Sequence, residues 1–316
     1  MKKYEIVIIG SGVVGLSSAM YAKRLGLKTL VLGNLIGGTI ASTGIIENYP
    51  GFKFISGLEL SKRILDHAKE YDPEIKNERV ENIEKTRIQN KNCFKIITQE
   101  NNFFTKTILF ATGTKIKKLG VSGEKEFSHK GVSYCALCDG PLFKNKEVGV
   151  IGGGDSAVKE SILLSQYAKK VYLIYRGREI KCEPINLKRL NEKIKERKVE
   201  VILQTNVLKI KGKEFLEGVT LDKTYKKNKE LKLQGLFIYV GHEPLSKLAK
   251  QIGVKLNKKK EIIINRNSET NIKGIYAAGD VCDTRFKQAI TGIGEGVTAA
   301  YNAYEFVKQK KFEILK

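Results

Sequence analysis

Tyr4-Glu-Ile-Val-Ile-Ile9-Gly10-Ser11-Gly12-Val-Val-Gly15 joins a short β-branched apolar run directly to three spaced glycines. Leu16 to Leu25 continues with a helical pattern, and Lys28 to Leu32 has the composition of a second strand. In such a unit the first glycine permits a tight turn, the second lets the backbone approach a pyrophosphate, and the third lets helix and strand pack closely. The order of these elements therefore predicts a βαβ unit that binds a dinucleotide.

The same pattern recurs in the middle of the chain. Glu147 to Ile151 is a strand candidate, and the turn Gly152-Gly-Gly154-Asp155-Ser156-Ala157 follows it. Val158 to Tyr167 is predicted as the helix and Lys170 to Tyr175 as the next strand. Two units of this kind imply two bound nucleotides and an α/β fold with two Rossmann-like dinucleotide-binding domains.

The residues after each second strand differ between the two units. Gly33 and Asn34 replace the acidic residue that often binds a ribose hydroxyl in the first unit. In the second unit, Arg176, Arg178 and Lys181 suit a ribose 2′-phosphate, which favours NADP over NAD. The competing interpretation of these three bases is an exposed, solvated turn.

Two further strand candidates end in glycine-containing turns. Thr105 to Phe110 is followed by Ala111-Thr112-Gly113, and Ile275 to Ala278 by Gly279-Asp280. A glycine at such a place lets the backbone pass close to a ligand, and Asp280 is either a ligand for a ribitol or ribose hydroxyl or a turn cap.

Gln288 to Val307 then has a helical rhythm with glycines at 292, 294 and 296. Glycines inside a helix cost about 1 kcal/mol each relative to alanine, so a close neighbour is expected, either a flavin or another helix.

Cys135-Ala-Leu-Cys138-Asp139 carries the clearest chemistry in the sequence. A pair at this spacing can form a disulfide, and in a reducing compartment it is catalytic, redox-sensing or metal-binding. The other cysteines form no second pair, and the chain has only three histidines, which disfavours structural zinc. Asp139 is a candidate for exchanging a proton with a thiolate, or a cap of the next turn.

Composition excludes several classes of protein. The 316 residues contain five cysteines, an odd number that does not fit a secreted disulfide framework, so a cytoplasmic location is expected. The net charge of +23 is spread along the chain, which indicates a Lys-rich solvated surface rather than a nucleic-acid site. Glycines interrupt the apolar start of the chain, so we expect no signal peptide and no membrane partner.

Taken in order, these motifs resemble the low-molecular-weight thioredoxin reductases over nearly the whole chain. The resemblance rests on the two glycine loops, the Cys135–Cys138 pair and four shorter segments: Gly37-Gly38, Glu47-Asn48-Tyr49-Pro50-Gly51, Ala111-Thr112-Gly113 and Gly279-Asp280-Val281. A glutathione-reductase type is disfavoured because it needs a longer chain and a four-residue spacing between its cysteines.

The resemblance implies an FAD domain at residues 1–117 and 243–316, with a pyridine-nucleotide domain at 118–242 inserted into it. It also implies Cys138 facing the flavin, Asp139 in proton transfer, a thioredoxin-like protein substrate and a homodimer. The inserted domain is expected to rotate about hinges at Thr114 to Gly120 and Gly241 to Ser246. The residues implied at the FAD, beyond those already named, are Gly37, Gly38, Thr39, Asn48, Lys287, Gln288 and Ala289.

This chain departs from the family pattern at the nucleotide sites. Tyr175 to Lys181 stands where the family has His-Arg-Arg-x-x-x-Arg, so one arginine is lost and another is replaced by lysine. Thr39 replaces a glutamine and Lys287 an arginine, changes that FAD binding should survive. The donor therefore stays open between NADPH, NADH and a non-nicotinamide donor such as ferredoxin or a deazaflavin. A ferredoxin-NADP reductase-like enzyme and a non-enzymatic basic binding protein also stay open at this point.

Overall fold

A computed structural model describes residues 2–88 and 91–312 of the chain. Within this range the strands are β1 Lys2–Ile9, β2 Thr29–Leu32, β3 Ile45–Ile46, β4 Ile55–Ser56, β5 Glu74–Lys76, β6 Val80–Ile88, β7 Lys91–Thr98, β8 Asn102–Phe110, β9 Thr114–Ile116, β10 Val132–Ser133, β11 Glu147–Ile151, β12 Lys170–Ile174, β13 Val199–Ile202, β14 Val207–Gly212, β15 Leu216–Tyr225, β16 Asn228–Lys232, β17 Gly235–Ile238, β18 His242–Pro244 and β19 Ile275–Ala277. The α-helices are α1 Val13–Arg24, α2 Gly57–Lys69, α3 Ala136–Asp139, α4 Asp155–Leu164, α5 Pro184–Lys195, α6 Lys247–Gln251 and α7 Ala289–Phe312, with short 3₁₀ helices at Thr39–Ser42 and Gly140–Phe143.

The chain divides into two compact units. The outer unit contains residues 1–115 and 243–316, and the inserted unit contains residues 116–242. Each unit has its own apolar clusters, and none of these clusters mixes residues of the two. The connecting segments form the strands β9 and β18, which pair with each other.

The outer unit is built on a parallel sheet in the order β5-β2-β1-β8-β19. An antiparallel meander, β6-β7-β8, extends it through the shared strand β8. All four residues of β2 are buried, as expected for a parallel strand covered on both faces. The helix α2 begins with Ser56 as its N-cap, whose side chain accepts the Glu59 N–H at 3.1 Å.

The inserted unit repeats this plan. Its parallel sheet has the order β13-β12-β11-β17-β10, and a three-stranded antiparallel sheet, β14-β15-β16, accompanies it in the described residues. In each unit one strand, β1 or β11, leads through a glycine loop into a helix and then into the neighbouring parallel strand. The predicted fold class, two Rossmann-like domains with one inserted into the other, is confirmed.

The helices that follow the glycine loops begin three residues earlier than the sequence pattern predicts. The helix α1 begins at Val13 rather than Leu16, and α4 begins at Asp155 rather than Val158. Gly12 and Gly154 are the N-caps, and neither helix has a side-chain cap there. Apolar periodicity misses this first turn because its residues belong to the glycine motifs, where glycines and polar residues interrupt the apolar pattern.

Candidate functional site

The first glycine loop lies at the carboxyl edge of the outer sheet. Gly10 has φ +120°, and a Cβ there would lie 2.1 Å from the Ala111 backbone oxygen, so only glycine fits. A Cβ on Gly12 would meet no atom closer than the Gly38 Cα at 3.5 Å. Gly12 therefore leaves open space beside the uncapped start of α1, whereas Gly15 is needed for packing, because its Cβ would lie 1.9 Å from the Gly10 oxygen.

Ser11 adds an unsatisfied polar atom to this loop. Its side chain is 2% exposed, and Ser11 Oγ has no hydrogen-bond partner within the part of the chain that the structure describes. A buried hydroxyl without a partner costs free energy, so a ligand oxygen is the expected partner. The same loop explains Gly33, because a Cβ there would lie 2.4 Å from Ser11 Oγ.

The predicted segments after β2 meet the glycine loop. The Gly37 N–H donates to the Ser11 oxygen at 2.8 Å, and a Cβ on Gly38 would lie 2.7 Å from the Gly12 Cα. Thr39 begins the 3₁₀ helix that follows and is exposed. Asn48 Nδ2 donates to Gln288 Oε1 at 3.0 Å, which joins this side of the site to the residue before α7.

The other two predicted turns lie at the carboxyl ends of β8 and β19, at the same edge of the sheet. The Ala111 N–H donates to the Ile9 oxygen at 2.8 Å, and Thr112 Oγ1 to the Leu245 oxygen at 2.8 Å. Gly113 accepts the Leu245 N–H at 3.0 Å, which fixes the turn after β8 within the outer unit.

The turn Gly279-Asp280 is held from α7 by a residue that sequence reasoning missed. Glu295 Oε2 accepts the Gly279 N–H at 2.8 Å, and Thr284 Oγ1 donates to Glu295 Oε1. The Asp280 side chain is exposed and makes no cap hydrogen bond within the described residues. A lone glutamate between Gly294 and Gly296, on a helix that returns to the site, was the available signal.

Lys287 also supports this turn. Its Nζ lies 2.6 Å from Glu261 Oε1 and donates to the Asp280 backbone oxygen at 2.8 Å. Ala289, the first residue of α7, is half-buried beside it. Lys287 thus holds the backbone of the turn through one hydrogen bond and is itself held by its ion pair with Glu261.

Two of the glycines of α7 lie close against other parts of the outer unit. A Cβ on Gly296 would lie 2.3 Å from Ser18 Oγ, and one on Gly292 would lie 3.0 Å from the Gly279 Cα. Only Gly294 faces open space. Contact with α1 and the Gly279 turn therefore explains two of the three glycines.

The second glycine loop repeats the design in the inserted unit. A Cβ on Gly152 would lie 2.4 Å from the Tyr239 backbone oxygen, whereas one on Gly154 would meet nothing within 4 Å. Ala157 is buried, and Ser156 is exposed at the start of α4. Asp155 holds the loop to the start of α5, because its Oδ1 accepts from Glu183 N and Asn186 Nδ2 at 3.1 and 2.8 Å.

The basic residues after β12 are exposed beside this loop. The Lys181 N–H donates to the Gly153 oxygen at 2.7 Å, and the Tyr175 ring lies where side chains on Gly153 or Gly177 would be. The side chains of Arg176, Arg178 and Lys181 form no ion pair among the described residues. Three basic side chains without an ion pair among the described residues thus lie after the carboxyl end of β12, and the Tyr175 ring packs against the glycine loop.

The cysteine pair forms the redox turn, which we define as residues 133–139. Cys135 and Cys138 are joined by a disulfide with Cα atoms 5.3 Å apart. Cys135 is the N-cap of α3, and its Sγ accepts the Cys138 N–H at 3.2 Å. The Cys135 N–H donates to Ser133 Oγ at 3.1 Å, and Ser133 Oγ lies 2.6 Å from Asp139 Oδ2.

Tyr239, the residue directly after β17, supports the redox turn, and the sequence pattern did not identify it. Its hydroxyl oxygen accepts the Ala136 N–H at 2.8 Å. Burial raises the pKa of Tyr239 well above its usual range, and the nearby Glu160 and Asp139 raise it further. Burial also raises the pKa of Glu160 to about 7, and its Oε2 has no hydrogen-bond partner in the described chain. The Tyr239 phenol is therefore a neutral acceptor for the turn at physiological pH.

Glu124 anchors the segment before the redox turn. It accepts N–H groups from Leu119 and Gly120 at 2.9 and 2.6 Å and the Tyr134 hydroxyl at 2.7 Å. Burial disfavours its carboxylate, but these hydrogen bonds and nearby Lys118 leave the pKa of Glu124 below its usual value. The expected hinge residue Gly120 is thus tied within the inserted unit to the residue preceding Cys135.

A family model described as pyridine nucleotide-disulphide oxidoreductase matches residues 4–296, a range that includes both glycine loops and the disulfide. The chain belongs to this family. It is 39% identical over 299 residues to a thioredoxin reductase of Mycoplasma genitalium, covering 94% of this chain and 93% of the relative. A Lactococcus lactis thioredoxin reductase structure has TM-score 0.90 and 38% identity, covering 97% of this chain and 99% of that one.

Another similar structure is named for a different electron donor. It is a ferredoxin-flavin thioredoxin reductase of Clostridium acetobutylicum, with TM-score 0.53, 31% identity and 98% and 99% of the two chains covered. The predicted resemblance to thioredoxin reductases is confirmed by these matches over nearly the whole chain. Among the described helices, none has both the length and the apolar content that a membrane crossing requires.

Proposed function

We propose that this family member is a thioredoxin-disulfide reductase that passes electrons from NAD(P)H through FAD to Cys135–Cys138 and on to a thioredoxin-like protein. The observation that carries the proposal is that the same chain has a disulfide and two glycine loops with open space for a ligand at the start of a helix. The thioredoxin reductases among its relatives cover nearly its whole length, which supports the same substrate class.

The residues of the outer unit fit FAD. The open space at Gly12, the unpartnered Ser11 Oγ and the uncapped α1 together suit a pyrophosphate. Gly10, Gly15, Gly37 and Gly38 shape this cradle, and Asp280 is exposed at its edge for a hydroxyl. We assign the remaining flavin contacts to Thr39, Asn48, Ala111, Thr112, Gly113, Gly279, Lys287, Gln288 and Ala289. Bound FAD supplies the two-electron carrier between nucleotide and disulfide.

The chain's own residues carry the sulfur chemistry. Cleavage of the Cys135–Cys138 bond takes up two electrons and one proton, which leaves one thiol and one thiolate. The thiolate attacks the partner's disulfide, and the second cysteine then resolves the mixed disulfide. We assign Asp139 to take the proton of the second thiol and return it to the departing partner thiolate, so that the exchange is balanced in protons.

The inserted unit is assigned to the nicotinamide nucleotide. Gly152, Gly154, Asp155, Ser156 and Ala157 form the phosphate loop, and the unpaired Arg176, Arg178 and Lys181 favour NADPH. Lysine cannot reproduce the two-pronged grip of a guanidinium, so the preference over NADH should be weaker than two arginines would give. The alternative is a non-nicotinamide donor such as ferredoxin, which the C. acetobutylicum neighbour carries in its name.

Anaerobic titration of the flavin decides between these donors. We expect NADPH to bleach the flavin of the purified protein faster than NADH does, and a thioredoxin-like disulfide protein to restore the colour. Bleaching by reduced ferredoxin alone would select the non-nicotinamide donor. Cys135→Ser and Cys138→Ser should each lower turnover with the disulfide protein at least about a thousandfold. Cys93→Ser, on β7, is the matched control.

The assignment of whole regions follows from the same proposal. FAD is assigned to the predicted domain 1–117 with 243–316, and the nicotinamide nucleotide to 118–242, with the connecting segments as hinges. We also propose a homodimer and a cytoplasmic location, in keeping with unpaired Cys93, Cys182 and Cys282. Analytical ultracentrifugation of the flavin-loaded protein tests the dimer.

A further inference from the structure

We propose that Ser133 is a positioning residue that holds the Asp139 carboxyl group for proton transfer at the redox turn. The proposal rests on the proposed function, in which Asp139 exchanges a proton with sulfur. It concerns hydrogen bonds within the inserted unit alone.

The sheet holds the backbone of Ser133 independently of the contacts of its side chain. It is the last residue of β10, pairs with Phe237 of β17 in the parallel sheet, and is 6% exposed. Its Oγ accepts the Cys135 N–H at 3.1 Å, which sets the position of the oxygen relative to the turn. A hydroxyl held on a sheet strand loses little further freedom when it binds a neighbour, so it can act as a rigid donor.

The number of hydrogens on the Ser133 hydroxyl decides which group donates in its hydrogen bond with Asp139. A hydroxyl has one hydrogen, and two acceptors lie within its reach: Asp139 Oδ2 at 2.6 Å and the Cys135 oxygen at 3.4 Å. The shorter contact goes to the group that carries charge, and hydrogen bonds to carboxylates are short and strong. Ser133 therefore donates to Asp139.

This bond fixes which carboxyl oxygen can react. The Asp139 backbone is held by its N–H, which donates to the Cys135 oxygen at 3.1 Å, and Ser133 holds Oδ2. With both held, Oδ1 is the oxygen left to take the proton of a thiol and return it to a departing thiolate. The Ser133 hydrogen also offsets part of the carboxylate charge, which eases formation of a thiolate in the same turn.

A double-mutant cycle tests this coupling. The dithiothreitol-reduced protein is alkylated with iodoacetamide at pH 7, and labelling of Cys135 and Cys138 is followed by peptide mass spectrometry. Ser133→Ala should slow alkylation about threefold when Asp139 is present. Without the Ser133 hydrogen bond, the full negative charge of the Asp139 carboxylate opposes formation of a thiolate. In the Asp139→Asn background, Ser133→Ala should change the rate less than about 1.5-fold. An equal slowing in both backgrounds, or no slowing in either, overturns the proposal.

Turnover supplies a second measurement. Ser133→Ala should lower kcat with a protein disulfide about tenfold and leave KM unchanged, the size expected for one hydrogen bond to a charged group. Ser133→Thr, which keeps the hydroxyl, should recover most of the rate. Ser165→Ala is the matched control, since Ser165 is equally buried in the same unit and donates to a helix carbonyl at 2.6 Å.

Different results contradict the proposed function and the role of Ser133. Wild-type protein that reduces no disulfide contradicts the proposed function, while the alkylation cycle, which needs no nicotinamide donor, still measures the coupling of Ser133 to Asp139. Active wild-type protein with additive substitutions contradicts only the role of Ser133.

Discussion

At the scale of single residues, the two glycine loops separate positions that the fold needs from positions that are left open. A side chain on Gly10 or Gly152 would strike backbone, whereas Gly12 and Gly154 have ordinary φ values of −77° and −93° and room for a methyl group. Glycine at the open positions therefore serves close approach by a ligand rather than the turn itself.

Gly12→Ala should consequently fold with an unchanged thermal midpoint as apoprotein but lose most of its flavin. Gly154→Ala should keep its flavin and weaken binding of the nicotinamide nucleotide at least about tenfold. Flavin absorbance after purification and titration of bound nucleotide measure the two effects. Gly10→Ala is the contrast, because it should fail to fold; full flavin retention in Gly12→Ala would contradict the assignment.

Glu160 predicts a dependence of stability on pH. Its carboxyl has an ordinary pKa of 4.5 in the unfolded chain and about 7 in the folded one, because burial disfavours the charged form. Ionisation therefore favours the unfolded chain as pH rises from about 4.5 to about 7, and the penalty stays constant above that, at roughly 3 kcal/mol.

Glu160→Gln should remove this penalty. The urea midpoint of the variant should exceed that of the wild type at pH 8, and the two should nearly coincide at pH 4.5. The control is Glu192→Gln, which changes an exposed carboxyl on α5. A constant difference between Glu160→Gln and wild type at both pH values would exclude the titration.

At the scale of elements, α7 matters to the outer site through contacts other than its start. Its glycines let it approach α1, and Glu295 then reaches the Gly279 N–H. A helix that both packs on a second helix and binds a turn couples packing to ligand binding. The turn at Gly279-Asp280 should therefore be more sensitive to α7 than its exposure suggests.

Glu295→Ala should weaken FAD binding about tenfold, because the Gly279 N–H and the Thr284 hydroxyl both lose their acceptor. Dialysis against buffer at rising dilution, with flavin release followed by fluorescence, gives the affinity. Glu305→Ala, later on the same helix, should leave it unchanged. If both variants release flavin equally, Glu295 has no specific role in the turn.

At the scale of the whole molecule, each unit has a separate parallel sheet and separate apolar clusters. The inserted unit is continuous in sequence, and both of its connections lie in the paired strands β9 and β18. A continuous segment with its own core meets the physical requirement for independent folding.

Residues 116–242 expressed alone should therefore fold cooperatively, form the Cys135–Cys138 disulfide and bind nucleotide without flavin. Circular dichroism during thermal unfolding and a thiol count before and after reduction measure this. The complementary protein, with residues 115 and 243 joined by a short glycine linker, should bind FAD. A non-cooperative thermal transition of the 116–242 segment would show that this unit does not fold independently of the outer unit.

The sequence by itself determined both βαβ units, the fold class, the redox pair and the family, because local periodicity, glycine spacing and the C-x-x-C motif act over short stretches of chain. The tertiary structure decided the features that depend on contacts between distant parts of the chain. It moved the helix starts to Val13 and Asp155, explained Gly292 and Gly296 by packing on α1 and the Gly279 turn, and brought Tyr239, Glu295 and Ser133 to the turns they support. Apart from the glycines on either side of Glu295, no local pattern marks these residues, since a hydroxyl or carboxylate supports a turn only when the fold places a backbone amide or another polar side chain beside it.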